Sequence, residues 1–92
     1  MKKYIYVIYD VKAEAYNVPF FEKNDQIVQR MCHDILTDPQ SAIPRHPEDF
    51  TLFKIGEYED ETATIIMYET KTPLVHFHEM KAVLENYNTQ GE

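Results

Sequence analysis

Aromatic and basic residues meet at the start of the chain, where together they could bind nucleic acid. Lys2 and Lys3 precede Tyr4 and Tyr6, and Lys12 follows the same apolar run. Proteins bind single-stranded nucleic acid with this combination, because rings stack on bases, at about 1–3 kcal/mol per base, while ammonium groups contact phosphates. The alternative is that the tyrosines pack inside a sheet or a dimer interface.

Arg30 is a sixth candidate for the same nucleic-acid site and lies on a predicted helix. Its guanidinium could bind a phosphate, or it could pair with Asp34 four residues later, which is a spacing that brings two side chains together on a helix. The ion pair is the more common role, and an exposed pair of this kind adds little stability.

Residues that could bind a metal or act in catalysis are few and poorly spaced. His76 and His78 would point away from each other on a helix, so we expect no metal site. Cys32 is expected to be a small buried apolar residue, since the adjacent His33 would point about 100° away on a helix. No acid–base pair or activated nucleophile stands out. The sequence therefore predicts a protein that is not an enzyme and has no cofactor.

The charge of the chain is unevenly distributed. The 92 residues carry a formal net charge of −7. Residues 1–30 hold five basic and four acidic groups, whereas the remainder holds four basic and twelve acidic groups, so an anion-binding surface should draw on the first third. The lone Cys32 suggests a reducing cytoplasm. No apolar run approaches the roughly 20 residues of a membrane span, and we expect no membrane partner.

The first half of the chain predicts a strand, an arm and a helix. Residues 3–11 alternate apolar and aromatic side chains on both faces, which is typical of a central strand. Residues 12–23 form a loop or irregular arm, in which Phe20 and Phe21 are too apolar to be left in water and are candidates for a protein interface. Asn24 or Asp25 caps a helix that ends near Thr37.

The second half predicts a β-hairpin and a second helix. One strand covers Phe50 to Tyr58, with Gly56 at a bulge or close backbone approach, and the other covers Thr62 to Tyr68. A loop longer than two residues connects them, since no Asn-Gly or Asp-Gly is present. Thr72-Pro73 resembles a helix start, so a helix is expected over 73–86.

We therefore expect one α+β domain over 1–86, followed by a frayed tail at 87–92. Its order is β-α-β-β-α, with a three-stranded antiparallel sheet and two helices on one face. The opposite sheet face would then stay open, with Tyr4 and Tyr6 lining it. Because a small sheet rarely leaves aromatic residues bare, the arm, a second subunit or a ligand should cover them.

The order of several short motifs resembles the small nonstructural protein of gokushovirus-type microviruses, which are single-stranded DNA phages. The resemblance covers roughly residues 4–61. One departure is Ala63, where that family commonly has glycine after the acidic turn. The motifs in this sequence are Asp10-Val-Lys-Ala, Pro19-Phe20-Phe21, Asn24-Asp25, Arg30 with Asp34, His46-Pro47-Glu48-Asp49-Phe50, Leu52-Phe53, Ile55-Gly56-Glu57-Tyr58 and Asp60-Glu61-Thr62.

This resemblance implies an accessory protein of phage genome replication or packaging that acts in the host cytoplasm. Combined with the residues above, it predicts a homodimer that binds single-stranded DNA through Lys2, Lys3, Tyr4, Tyr6, Lys12 and Arg30. One alternative is an interaction module for phage replication or capsid proteins, without DNA contact, through Phe20, Phe21 and the second helix. Another is an acidic DNA mimic, which requires the carboxylates of residues 48–61 to lie along one surface.

Overall fold

The fold is an antiparallel sheet with two helices. The computed structural model describes residues 1–90, with side chains described through residue 86. None of its described helices is long and apolar enough to cross a membrane. The elements are β1 (Lys2–Asp10), β2 (Ala15–Tyr16), β3 (Phe20–Glu22), α1 (Asp25–Thr37), two 3-10 turns (Ile43–Arg45 and Pro47–Asp49), β4 (Phe50–Glu59), β5 (Thr64–His76) and α2 (Phe77–Gln90).

The sheet has five strands, and the prediction of three was wrong. Its order is β2-β1-β4-β5, with β3 also paired to β1, and every pairing is antiparallel. The two additional strands come from the arm at 12–23. The arm places Tyr16 opposite Tyr9 and Phe21 opposite Ile5, because the outer edge of β1 otherwise leaves backbone groups unpaired. The central position predicted for the first strand is confirmed.

The predicted first helix is confirmed at both ends. The side chain of Asn24 accepts a hydrogen bond of 2.9 Å from the backbone N–H of Ile27, and the helix ends at Thr37. Its buried residues are Val28, Cys32 and Leu36. The neighbouring apolar residue Ile27 is 37% exposed.

The second helix begins four residues later than predicted. Strand β5 continues through Pro73 to His76, and α2 begins at Phe77. Proline is tolerated in β5 because β5 lies at the edge of the sheet. Helix α2 also extends beyond the predicted end at 86, through Gln90, while residues 91 and 92 of the predicted frayed tail lie outside the described part of the chain.

Both helices pack on one face of the sheet, which we call the helix-covered face. It carries Tyr6 of β1, and the core around it includes Val28, Leu52 and Phe77, each 0% exposed. Tyr4 and Ile8 pack against the same core. The expectation that Tyr4 and Tyr6 line the uncovered face was therefore wrong. Because β1 is apolar on both sides, its alternation alone cannot indicate which side the helices cover.

Gly56 lies where β4 and β5 approach each other closely, and the predicted irregularity at this residue is confirmed. The pairing of β4 with both neighbours shifts register next to it. A Cβ at Gly56 would lie 2.6 Å from the carbonyl oxygen of Ile66, which is closer than a carbon and an oxygen can approach without backbone movement. This position therefore requires glycine.

The β4–β5 connection spans residues 60–63 and confirms the expectation of a loop longer than two residues. Ala63 has a φ of 56°, in the left-handed region where a Cβ costs roughly 1–2 kcal/mol. The resemblance to microvirus proteins suggested glycine at this position, and the backbone gives a physical reason for it.

Replacing Ala63 by glycine should stabilise the protein by about 0.5–1 kcal/mol, because relief of left-handed strain exceeds the entropy that glycine adds to the unfolded chain. Chemical denaturation measures this gain. Ala82→Gly, at an exposed position inside α2, is the matched control and should lose about 1 kcal/mol. A63G without any gain would contradict the assigned turn geometry.

Replacing Tyr6 by phenylalanine should cost about 1–2 kcal/mol in the free energy of unfolding. The Tyr6 hydroxyl donates a 2.7 Å hydrogen bond to Asp25, and desolvation together with this bond raises the pKa of the tyrosine well above its usual range. Tyr68→Phe removes a 3.0 Å bond to Glu57 near the surface and should cost less. Equal losses in denaturant titrations would show that the Tyr6 bond has no special role.

The thiol of Cys32 should not react with a thiol reagent at neutral pH while the protein is folded. Cys32 is 1% exposed, and burial raises its pKa to about 12, so neither access nor thiolate is available. A colorimetric thiol assay in buffer and in denaturant measures this difference. Fast labelling in buffer would contradict the buried position.

Candidate nucleic-acid interface

The sheet surface opposite the helices, which we call the open face, is apolar and aromatic. The register of β1 places Ile5, Val7 and Tyr9 on it, since Tyr6 points to the helices and side chains alternate. Ile5 and Val7 are only 3% and 4% exposed, although no described helix lies over them. In the register Ile5 lies between Phe21 and Gly56, and Val7 lies opposite Phe53.

Aromatic rings form two groups across the open face. At one end, the rings of Phe21 and Tyr58 meet edge-on, with centroids 5.6 Å apart. At the other end, Tyr16 lies 4.6 Å from Tyr9 and 6.0 Å from Phe53. Phe21 and Tyr16 are each 43% exposed. The open face therefore offers aromatic surface to a ligand at both ends of β1.

Lysine side chains accompany both aromatic groups. Lys3 lies opposite Tyr58 in the β1–β4 register and so shares the open face with it. The ammonium group of Lys71 lies 5.7 Å from the centroid of the Tyr16 ring. Neither Lys71 nor Glu69 is paired in the register with β4, and alternation from Met67 places both on the open face. None of the residues that the register does pair on this face is acidic. Cations and rings thus occur together on this surface, with Glu69 as an acidic neighbour of Lys71.

Two of the predicted DNA-binding residues are held by partners on the helix-covered face. The Lys2 ammonium lies 3.1 Å from the carboxylate of Glu57; their hydrogen bond raises the pKa of Lys2 and lowers that of Glu57. Tyr4 lies beneath the Lys54 ammonium, which is 4.0 Å from the ring centroid and pairs with Asp25 at 3.1 Å. Tyr6, a third, is fully buried and cannot stack on a base.

The remaining predicted residues do not form one patch. Lys3 is at one end of β1 and Lys12 follows the other end, so a nine-residue strand of roughly 30 Å separates them. Arg30 is exposed on α1, in the helix layer, and the described residues show no ion pair between it and Asp34. Of the six residues, only Lys3 is placed on the open face by strand register.

The two phenylalanines of the predicted protein interface point in opposite directions. Phe20 stacks on Tyr6, with centroids 5.7 Å apart and planes at 26°, and joins the core. Phe21 projects onto the open face. Sequence reasoning identified Phe21 but missed Tyr9, Tyr16, Phe53 and Tyr58. The alternation of β1 was the available signal for Tyr9, whereas Tyr16 lies in an arm that showed no strand pattern.

The carboxylates of residues 48–61 collect at two separate ends of β4. At the end near the turn, the amino group of Met1 lies within 2.8 Å of both Glu59 and Asp60, and these bonds raise its pKa to about 10. At the other end, ligand atoms of His46, Glu48 and Asp49 lie within 4.8 Å of one another. Sequence spacing did not reveal that group, which is largely exposed, and such groups are common on protein surfaces without an ion.

Comparison with known proteins gives a family. A family model described as "Phage ORF5 protein" matches residues 3–82. No curated protein and no solved structure matches the chain. The matched range includes all five strands, α1 and the start of α2, and therefore the whole open face. The chain belongs to the Phage ORF5 protein family.

Proposed function

We propose that this phage protein binds single-stranded DNA with the open face, as a non-enzymatic accessory protein of genome replication or packaging in the host cytoplasm. We further propose that the phage is of the gokushovirus type, because the motifs above resemble those of the small nonstructural protein of such phages. The observation that supports the proposal most directly is the uncovered sheet face that carries exposed aromatic rings with lysines beside them.

A single strand fits this surface better than a duplex. Unpaired bases can lie flat on exposed rings such as Phe21 and Tyr16, as they do on the aromatic sheet surfaces of other single-strand-binding folds. Lys3 is paired with Tyr58, whose ring contacts Phe21, and the Lys71 ammonium lies 5.7 Å from the Tyr16 ring centroid. Both lysines would contact phosphates next to a stacked base. In a duplex the bases stack on each other, and the rings would find no partner.

The net charge of −7 limits the expected affinity. Long-range repulsion from the acidic turn at Glu59 and Asp60 opposes the approach of a polyanion. The Met1 amino group offsets part of that charge. Binding should therefore be modest and should depend more on stacking than on phosphate contacts.

The acidic DNA mimic is not supported, because the carboxylates that it requires lie at opposite ends of β4 and several of them already pair with cations. An interaction module without DNA contact would use the same open face through Phe21, and a failure to bind oligonucleotides would favour it.

Phe21→Ala should weaken binding to a labelled single-stranded oligonucleotide by about 1–3 kcal/mol, which is the contribution of one stacked base. Fluorescence anisotropy at low salt measures the affinity. Val83→Ala, at a position 66% exposed on α2, is the control and should leave it unchanged. No measurable binding by the unaltered protein at low salt would overturn the proposed function.

A salt titration of the same complex separates phosphate contacts from stacking. Lys3→Ala should reduce the slope of log K against log salt by about 1, whereas Arg30→Ala removes the same charge from the helix layer and should leave the slope unchanged. Equal effects of the two substitutions would indicate binding through net charge alone and would refute the assignment to the open face.

A further inference from the structure

We propose that a second copy of the chain docks on the free edge of β5 by antiparallel pairing of the two β5 strands, centred on Ile66. This inference identifies the surface of the expected homodimer. Its consequence for DNA, that two open faces become one, rests on the proposed function.

The two outer edges of the sheet differ in how far their backbone groups are hydrogen-bonded. Along β1, β2 and β3 cover the ends, and Asn17 covers the middle, since its side chain accepts from the N–H of Ile8 at 2.7 Å and its N–H donates to the carbonyl of Ile8 at 2.9 Å. Strand β5 has thirteen residues and no strand beside its outer edge within residues 1–90. Its backbone groups are therefore available for pairing.

The features that usually discourage pairing begin only after Tyr68 on this edge. Charged residues and proline protect natural edge strands, and here they are Glu69, Lys71 and Pro73. The segment Thr62–Tyr68 contains no charged residue. In a chain with a net charge of −7, this is a stretch where two copies can approach with little repulsion.

Apolar side chains are exposed on both faces of the same segment. Ile65, Ile66 and Met67 are 54%, 54% and 58% exposed. The register places Ile65 and Met67 on the open face and Ile66 on the other. A paired strand would cover side chains on both faces at once, which neither a helix nor a ligand on one face can do.

The positions of apolar and charged residues select the register of the pairing. Antiparallel pairing centred on Ile66 places Ile65 opposite Met67 of the second copy and pairs residues 64–68, none of which is charged. Centring on Ile65 instead would pair only residues 64–66 of β5, and centring on Met67 would oppose Glu69 to Ile65. The register centred on Ile66 therefore gives the longest pairing without a charged residue opposite an apolar one, as favourable cross-strand pairs require.

The segment can pair with the same segment of a second copy, because a two-fold axis relates the two copies and each contact then occurs twice. Three partly exposed side chains cover much less than the roughly 800 Å² per partner of a typical stable complex, so the free protein should dimerise weakly.

The two-fold axis stands perpendicular to the sheet, so all four helices lie on one side and the two open faces join on the other. Neighbouring copies on one DNA strand would therefore reinforce each other.

Disulfide trapping tests the pairing directly and needs no DNA. Opposed residues in antiparallel strands have Cα atoms about 4.5–5.5 Å apart, within disulfide range, so Ile66→Cys should form a covalent dimer under mild oxidation. Val83→Cys is the matched control, since Val83 is similarly exposed on α2, and it should cross-link much more slowly. Equal rates for the two variants would overturn the proposal.

A second variant separates docking from DNA binding. Ile66→Lys places like charges opposite each other at the two-fold axis, and it should abolish the concentration-dependent increase in sedimentation coefficient while circular dichroism shows an unchanged fold. It should still bind a short oligonucleotide but lose cooperativity on a long one. Trapping without DNA binding would refute the proposed function alone, and DNA binding without trapping would refute the docking alone.

Discussion

The structure depends on one constraint: β1 is apolar on both faces, and two short helices can cover only one of them. Tyr6 and Ile8 on one side pack in the core with the helices, while Ile5 and Val7 on the other are buried beside Phe21 and Phe53 of adjacent strands. Burial of apolar area is the main favourable term in folding. The described residues form no third layer over the second side, which carries an aromatic surface.

A small polar group joins the helix layer to the helix-covered face of the sheet. Asp25, at the start of α1, accepts a hydrogen bond from the Tyr6 hydroxyl and pairs with Lys54 of β4. Lys54 in turn lies over the ring of Tyr4. These contacts join the helix to two strands at one point, and they use the hydroxyl that burial of Tyr6 would otherwise leave unsatisfied. The residues that first suggested DNA binding therefore contribute to stability, and the aromatic surface is on the reverse side.

Membership of the Phage ORF5 protein family and the open face support the proposed function in different ways. The family indicates a phage protein but not what it binds, whereas the open face indicates a binding surface but not its ligand. The free edge of β5 adds a third element, because it continues that face without interruption. A surface of modest affinity would act on a long single strand if adjacent copies bound side by side, and the uncharged segment Thr62–Tyr68 would permit such contact.

The sequence by itself determined the local structure that short-range physics controls. The Asn24 cap and α1, the central position of β1, the hairpin and the irregularity at Gly56 all follow from neighbouring residues, through side-chain capping, alternation and steric exclusion. The sequence also determined that Cys32 would be buried and that one sheet face would remain open. The start of α2 was misplaced because Thr72-Pro73 is compatible with both a helix start and an edge strand.

Only the tertiary structure decided which side of β1 faces the helices and which forms the open face, and therefore which residues form the candidate site. Tyr4, Tyr6, Ile5 and Val7 are all suited to burial, and alternation fixes their relative positions without naming the side that the helices occupy. Pairing of the arm at 12–23 with β1 brings Tyr16 and Phe21 onto the open face. This pairing satisfies the backbone groups at the outer edge of β1, and no alternation of apolar and polar residues in the arm indicates it.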